Sequence, residues 1–166
     1  MRASQYLLKT QKETPKEAKA VSHQLLVKGG FIHQTASGSF CYLPPGFQVL
    51  KKIKKVIKHE LKKEGVLEIL MPMVHPARLW RESGRYDTVG DELLRAQGRD
   101  EEFVLAMTHE ETVVDIARKL VGSYEDLPFI FNQFQTKFRD EPRPRGGLLR
   151  LCLLLLQSER LLLSDP

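Results

Sequence analysis

The chain has 166 residues, 42% of them apolar and 28% charged, which suits one soluble domain with a real core and excludes disordered or fibrous classes. Lys and Arg outnumber Asp and Glu by 26 to 21, a net charge of +5 that permits contact with RNA or phosphates, although a basic surface kept for solubility gives the same balance. Two distant cysteines (Cys41 and Cys152), no CxxC or HxxxH spacing, no signal-peptide run and no stretch near the roughly 18 apolar residues of a membrane span argue against a zinc site, a disulfide framework or a membrane protein. A cytoplasmic location is the expectation.

In chain order, Thr14, Pro15 and Glu17 predict the capped start of a helix whose stripe is Ala18, Val21, Leu25 and Leu26 and whose end is Gly29-Gly30. Phe31 to Leu43 suggests a short hairpin turning at Ser37-Gly38, broken by Pro44-Pro45-Gly46. A long helix is expected from Phe47 to Glu64, with Leu50, Ile53, Ile57 and Leu61 on one stripe and Lys51, Lys52, Lys54, Lys55, Lys58, Lys62 and Lys63 around the rest. Those lysines read either as an RNA-facing surface or as a solvated amphipathic face. Gly65 stops the helix, Val66 to Met71 looks like a strand, and Pro76 to Glu82 like a short helix holding the single Trp80.

Ser83 to Asp100 reads mostly as loop with a possible helical turn, and Phe103 to Ala106 as a short strand. Thr108 and Glu111 have capping-box spacing for a helix with Val113, Ile116, Ala117 and Leu120 inward, ended by Gly122. Phe129 to Glu141 is the most strand-like segment, with Phe134, Thr136 and Phe138 on one face and Gln133, Gln135, Lys137, Arg139 and Glu141 on the other. The loop Pro142-Arg143-Pro144-Arg145-Gly146-Gly147 follows, and Leu148-Leu149-Arg150 is a candidate returning strand. The leucine-rich run from Leu151 to Pro166 could pass as a buried helix, though it lacks a clean polar stripe.

Few residues carry recognisable chemistry. Arg139 and Glu141, two apart on a strand, point the same way at roughly 7 Å. They suit phosphate and amine recognition, as along a bound nucleotide, or else an ion pair on a solvated face. Thr108 and Glu110 sit at a helix mouth, where Glu110 either binds a cationic amine or balances the helix dipole, and Thr108 either helps bind or only caps. His109 reads as a packing or surface residue, and His23, His33, His59 and His75 show no cluster. No Ser-His-Asp or Cys-His arrangement is evident, and no Walker loop or GxGxxG points to a P-loop or Rossmann fold.

Several short segments in fixed order carry more than any of them singly. These are Ala36-Ser37-Gly38, Tyr42-Leu43-Pro44-Pro45-Gly46, Met71-Pro72, Leu79-Trp80, Glu92-Leu93-Leu94-Arg95, Thr108-His109-Glu110-Glu111 and the run from Gln135 to Arg145. Together they resemble the N-terminal part of bacterial-type prolyl-tRNA synthetases over residues 1–150. The resemblance implies an α+β fold, a partial class II synthetase catalytic domain with an antiparallel sheet flanked by helices, in a family that works as a homodimer. It implies that Thr108 and Glu110 hold proline, with Glu110 facing the imino group. Arg139 would contact the proline carboxylate and the ATP α-phosphate as the catalytic residue, Glu141 would read adenine, and Arg150 would lie near the nucleotide. The partners implied are proline, ATP carried with Mg2+, and tRNA(Pro), with no metal ligand nameable in this chain and no membrane.

The resemblance lapses in the tail, 151–166, where the family continues into the second strand of its ATP-binding motif. The family's third motif, editing insertion and anticodon-binding domain have no counterpart in these residues. A shifted reading frame or broken gene is one expectation, checked in the coding DNA past codon 150, and a chain inactive or poorly soluble alone is another. Rival readings are a threonine, serine or glycine synthetase, a non-catalytic tRNA- or partner-binding fragment built on the lysine helix, and a decaying remnant.

Overall fold

The structure, a computed structural model, describes residues 9–13 and 18–140, and the backbone of 153–163. It divides into two compact units, residues 1–59 with 143–153 and residues 60–142 with 154–166. No helix among the described residues is long and apolar enough to cross a membrane.

The first unit begins with helix α1, Val21–Lys28, which starts after Ala20. The predicted Thr14-Pro15-Glu17 cap lies outside the described residues, and Ala18 is buried but not helical. The apolar stripe is also rotated from expectation, since Val21 and Leu25 are exposed while His23 and Val27 are buried. His23 sets its ring edge-on against Phe40, with centroids 5.0 Å apart, so an aromatic contact rather than the Leu/Val stripe orients this two-turn helix. Gly30, at φ +67°, closes the helix as a Schellman motif: its N–H donates to Val27 O at 3.0 Å and the Phe31 N–H donates to Leu26 O at 2.9 Å.

Strands β1, Ile32–Ala36, and β2, Ser39–Tyr42, form the expected antiparallel hairpin around Ser37-Gly38, with an irregularity between Gln34 and Ala36. Helix α2, Pro44–Lys63, then begins at Pro44 rather than Phe47. Proline is tolerated in a first helical turn because its missing N–H would find no intrahelical partner there, so Pro44-Pro45 starts the helix instead of breaking the chain. Gly46 is buried against the hairpin, where a Cβ would fall 2.2 Å from the Phe31 carbonyl oxygen. Leu50 is buried, but Ile53 of the expected stripe and its neighbours Val49 and Val56 are exposed.

In the second unit the strand expected over Val66 to Met71 shrinks to β3, Leu67–Glu68. It pairs in parallel with β7, Phe129–Phe138, through Leu67 opposite Phe131, while the other assigned registers are antiparallel. A second sheet has the order β4 (Val74–Pro76), β6 (Glu102–Leu105), β5 (Arg95–Gln97). Strand β5 falls in the stretch expected to be loop, and its exposed residues owe their strand form to pairing with β6. Helix α3, Ala77–Glu82, and helix α4, Arg85–Thr88, precede a 3₁₀ turn at Gly90–Glu92. Helix α5 spans Glu110–Leu120.

The core of this unit is Ala77, Leu79, Trp80, Leu93, Val104 and Met107, with Tyr86 and Val89 against it. Arg95 ties the α4-to-β5 stretch together by donating to Gly90 O, Leu93 O and Tyr86 O at 3.0, 3.0 and 2.6 Å. The tail expected to pass as a helix contributes strand β8, Leu153–Leu163, beside β7 in the order β3–β7–β8. The candidate returning strand at Leu148 to Arg150 lies outside the described residues, as does the loop from Pro142 to Gly147.

Candidate functional site

The most deeply buried side chains of strand β7 are polar: Asn132, Gln133 and Lys137. Gln133 and Lys137 are fully buried, while Phe134, Thr136 and Phe138 are only partly covered. The segment at Met71-Pro72, which has no ladder of its own, lies against Gln133 and Gln135 and needs their hydrogen bonds. Met71 N–H donates to Gln133 Oε1 at 3.4 Å, and Gln135 Nε2 donates to Met71 O at 2.8 Å. The backbone continues the pairing, with Phe138 N–H donating to Ala106 O at 2.9 Å and Ala106 N–H to Met73 O at 2.8 Å.

This stitching sets the start of α5 beside the end of β7. Arg139 Nη2 donates to Met107 O at 3.4 Å, next to Thr108, so Arg139, Thr108 and Glu110 share one locale. Arg139 lies just past the last strand residue and is partly buried. Glu141 and Arg150 lie outside the described residues. The capping box expected from Thr108 and Glu111 does not form: His109 is the N-cap residue, and no side chain caps it. Both side chains turn instead to Arg85, whose Nη1 donates to Thr108 Oγ1 at 3.2 Å and to Glu111 Oε1 at 2.9 Å.

Glu110 is half exposed and 3.5 Å from Arg85 Nη1. Burial acts to raise its pKa, but the hydrogen bond with the Thr108 hydroxyl, its own backbone N–H and the charges of Arg85 and Lys137 together hold it below the usual carboxylate range. A carboxylate kept ionised at a helix start, with an arginine at the neighbouring strand end, can take a zwitterion whose cation faces Glu110 and whose anion faces Arg139. A cavity of about 180 Å³ opens on the α3 and α5 side of Glu110, lined by Leu79, Ser83, Arg85, Glu111 and Val114 among others.

The histidines also depart from expectation, because His75 and His109 do meet. Their rings are edge-on with centroids 4.7 Å apart, and both are fully buried. Nε2 of each lies 3.0 Å from Pro72 O. Trp80 Nε1 donates to His75 Nδ1 at 3.2 Å, and Lys137 Nζ meets His109 Nδ1. Sequence reading passed over Arg85, His75 and Lys137. Only the Arg-free spacing of Thr108-His109-Glu110-Glu111 was available as a signal, and it names none of their partners. No three His, Cys, Asp or Glu side chains converge as a metal cage among the described residues.

The described residues form helices on short, mostly antiparallel sheets, and the solved structures that share this architecture are synthetases. The family model described as "tRNA synthetase class II core domain (G, H, P, S and T)" matches residues 93–153 of the chain. Its architecture is similar to the RNA binding domain of threonyl-tRNA synthetase from Cryptosporidium parvum Iowa II, with TM-score 0.69 and 21% identity over 74% of this chain and 32% of that one. It is equally similar to Giardia lamblia prolyl-tRNA synthetase in complex with prolyl-adenylate, with TM-score 0.67 and 25% identity over 74% of this chain and 26% of that one.

Sequence separates what architecture does not. The chain is 54% identical over 151 residues to the proline–tRNA ligase of Acidithiobacillus ferrooxidans, covering 90% of this chain and 26% of that protein. Over the residues they share, the chain is similar in sequence to proline–tRNA ligases, and it spans about a quarter of the length of the curated relatives it matches.

Proposed function

We propose that these residues form the proline-recognition half of a proline–tRNA ligase site. In this reading Glu110 receives the secondary ammonium of proline, Thr108 orients Glu110, and Arg139 pairs with the proline carboxylate and then with the α-phosphate as the carboxylate attacks it. The observation that carries it is that Glu110, whose pKa is held low, its Thr108 partner and Arg139 come together where the start of α5 lies beside the end of β7. Arg139 acts by neutralising charge that grows on the phosphate, which is electrostatic stabilisation and needs no proton transfer. Glu141 and Arg150 are assigned to adenine and to the nucleotide on the same reading. Magnesium arrives with ATP as part of the substrate. The later steps, transfer to tRNA(Pro) and action as a homodimer in the cytoplasm, belong to the whole ligase, of which this chain spans about a quarter.

The test is calorimetric binding of a non-hydrolysable prolyl-adenylate analogue to the 166-residue chain. Saturable binding that a threonyl analogue does not reproduce, and that Arg139→Ala weakens by about tenfold or more, is expected. Equal binding of both analogues, or none, overturns the assignment. Proline-dependent ATP–pyrophosphate exchange is expected to be undetectable with this chain by itself, and robust exchange would show that the described residues suffice for activation.

A further inference from the structure

Behind the surface that carries Thr108, Glu110 and Arg139 lies a buried polar layer that the proposed reaction does not use. It consists of Lys137, His109, His75, Trp80 and Thr112, with the Pro72 carbonyl at its centre. Lys137 and His109 are each fully buried, from β7 and from the residue just before α5. A lysine ammonium has three donors and no acceptor, so where it meets His109 Nδ1 that nitrogen must be the unprotonated one. His109 then carries its proton on Nε2 and donates it to Pro72 O at 3.0 Å. The same logic fixes His75, whose Nδ1 accepts from Trp80 Nε1 at 3.2 Å and whose Nε2–H donates to Pro72 O at 3.0 Å, with Thr112 Oγ1 3.1 Å away. One backbone carbonyl thus receives two imidazole N–H groups.

We propose that Lys137 is a positioning residue for the proline site: by holding His109 as the Nε2–H tautomer between β7 and Pro72, it locks Thr108-His109-Glu110 at a fixed offset from Arg139. The inference rests on the proline-site reading above and extends it to a residue that touches no substrate. Lys137 and Arg139 are two apart at the end of one strand, and His109 sits between Thr108 and Glu110, so the Lys137–His109 contact links the two segments that would grip opposite ends of the amino acid. Displacement of one grip from the other by a fraction of an ångström disfavours a small rigid ligand, which cannot adjust its own span. The Lys137 charge also lies close enough to help keep Glu110 ionised.

The experiment pairs a tautomer measurement with binding. Imidazole ¹⁵N spectra of the histidine-labelled 166-residue chain, with His109 assigned by its loss in His109→Gln, are expected to show His109 protonated at Nε2 and bare at Nδ1 throughout pH 5–8. Lys137→Met is expected to remove that signature and weaken the prolyl-adenylate analogue about tenfold or more. His109→Leu should do the same, whereas His109→Gln, whose amide can still accept from Lys137 and donate to Pro72 O, should retain most of the affinity. A wild-type His109 that carries its proton on Nδ1, or Lys137→Met binding the analogue as tightly as wild type, overturns the inference while leaving the proline site standing. Failure of the unmodified chain to bind the analogue overturns the proline site itself. The wild-type spectrum needs no variant, so it decides the tautomer even if Lys137→Met does not fold.

Discussion

Arg85 reaches several groups near the site at once. It bonds Thr108 and Glu111, lies 3.5 Å from Glu110, and sets its guanidinium 5.0 Å from the centre of the Trp80 ring. The Glu111 side chain is only 2% exposed, so Arg85→Ala leaves a buried carboxylate without its cation. Because Arg85 itself is about one-third exposed, water can partly replace it, and we expect a loss of about 2 kcal/mol rather than the full penalty of a buried pair. Urea denaturation of the two chains measures it, and an unchanged midpoint would show that Glu111 finds another partner.

His109 makes a second prediction at this scale. Burial first, then the Lys137 ammonium and then His75 lower its pKa from 6.5 to about 3. The unfolded chain therefore takes up a proton between those values that the folded chain refuses. Stability from this group is complete above pH 6.5 and is lost as pH falls toward 3. Melting temperatures from pH 7 to 4 should fall more steeply for wild type than for His109→Gln. Parallel curves would mean that His109 is not held neutral in the fold.

At the scale of elements, glycines separate two physical causes. Gly46→Ala places a methyl 2.2 Å from a backbone oxygen that belongs to the hairpin start and cannot swing aside. Gly65 at the end of α2 has φ +69° and open space around it, so Gly65→Ala costs conformation alone, about 1 kcal/mol. Gly46→Ala should cost more, about 2–3 kcal/mol, as overpacking does. Thermal melts of both variants rank them, and the reverse order would refute the close approach to Phe31.

Periodicity made α2, α5 and β7 legible, because each has enough residues for its pattern to repeat, and the Ser37-Gly38 turn marked the hairpin. Periodicity did not reveal which side chains of β7 are covered. The rule that apolar side chains go inward fails where the covering layer is the polar backbone of Met71-Pro72. Nor could it bring His75 to His109 or Arg85 to Thr108, since those contacts exist only once β4, α4 and α5 are packed. Strand β5 was missed for a related reason: three exposed residues carry no period, and only the edge of β6 makes them a strand. The roles expected of Thr108, Glu110 and Arg139 came from the resemblance, whereas the residues' own spacing favoured an ion pair for Arg139 with Glu141 and a helix cap and dipole balance for Thr108 and Glu110.

For the whole molecule, α2 presents two opposed faces that predict two different partners. Val49, Ile53 and Val56 recur at i, i+4 and i+7 and are 43, 45 and 62% exposed, an apolar stripe of the kind that associating surfaces bury. Lys51, Lys55 and Lys62 occupy the other side of the same helix and are exposed, a row that suits an RNA backbone. Helical geometry sets the two sides far enough apart to be tested independently. If copies of the chain associate through this stripe, Val56→Glu abolishes that association in analytical ultracentrifugation, and any tRNA binding by the basic face keeps its wild-type salt dependence. Lys55→Glu with Lys62→Glu should leave association intact and lower the slope of log affinity against log salt by about one for each lysine that meets a phosphate. If Val56→Glu leaves the sedimentation unchanged, the stripe is not an interface between copies, and the homodimer expected from the family does not form through this helix. If the double lysine variant keeps the full salt slope, the basic face serves solubility alone.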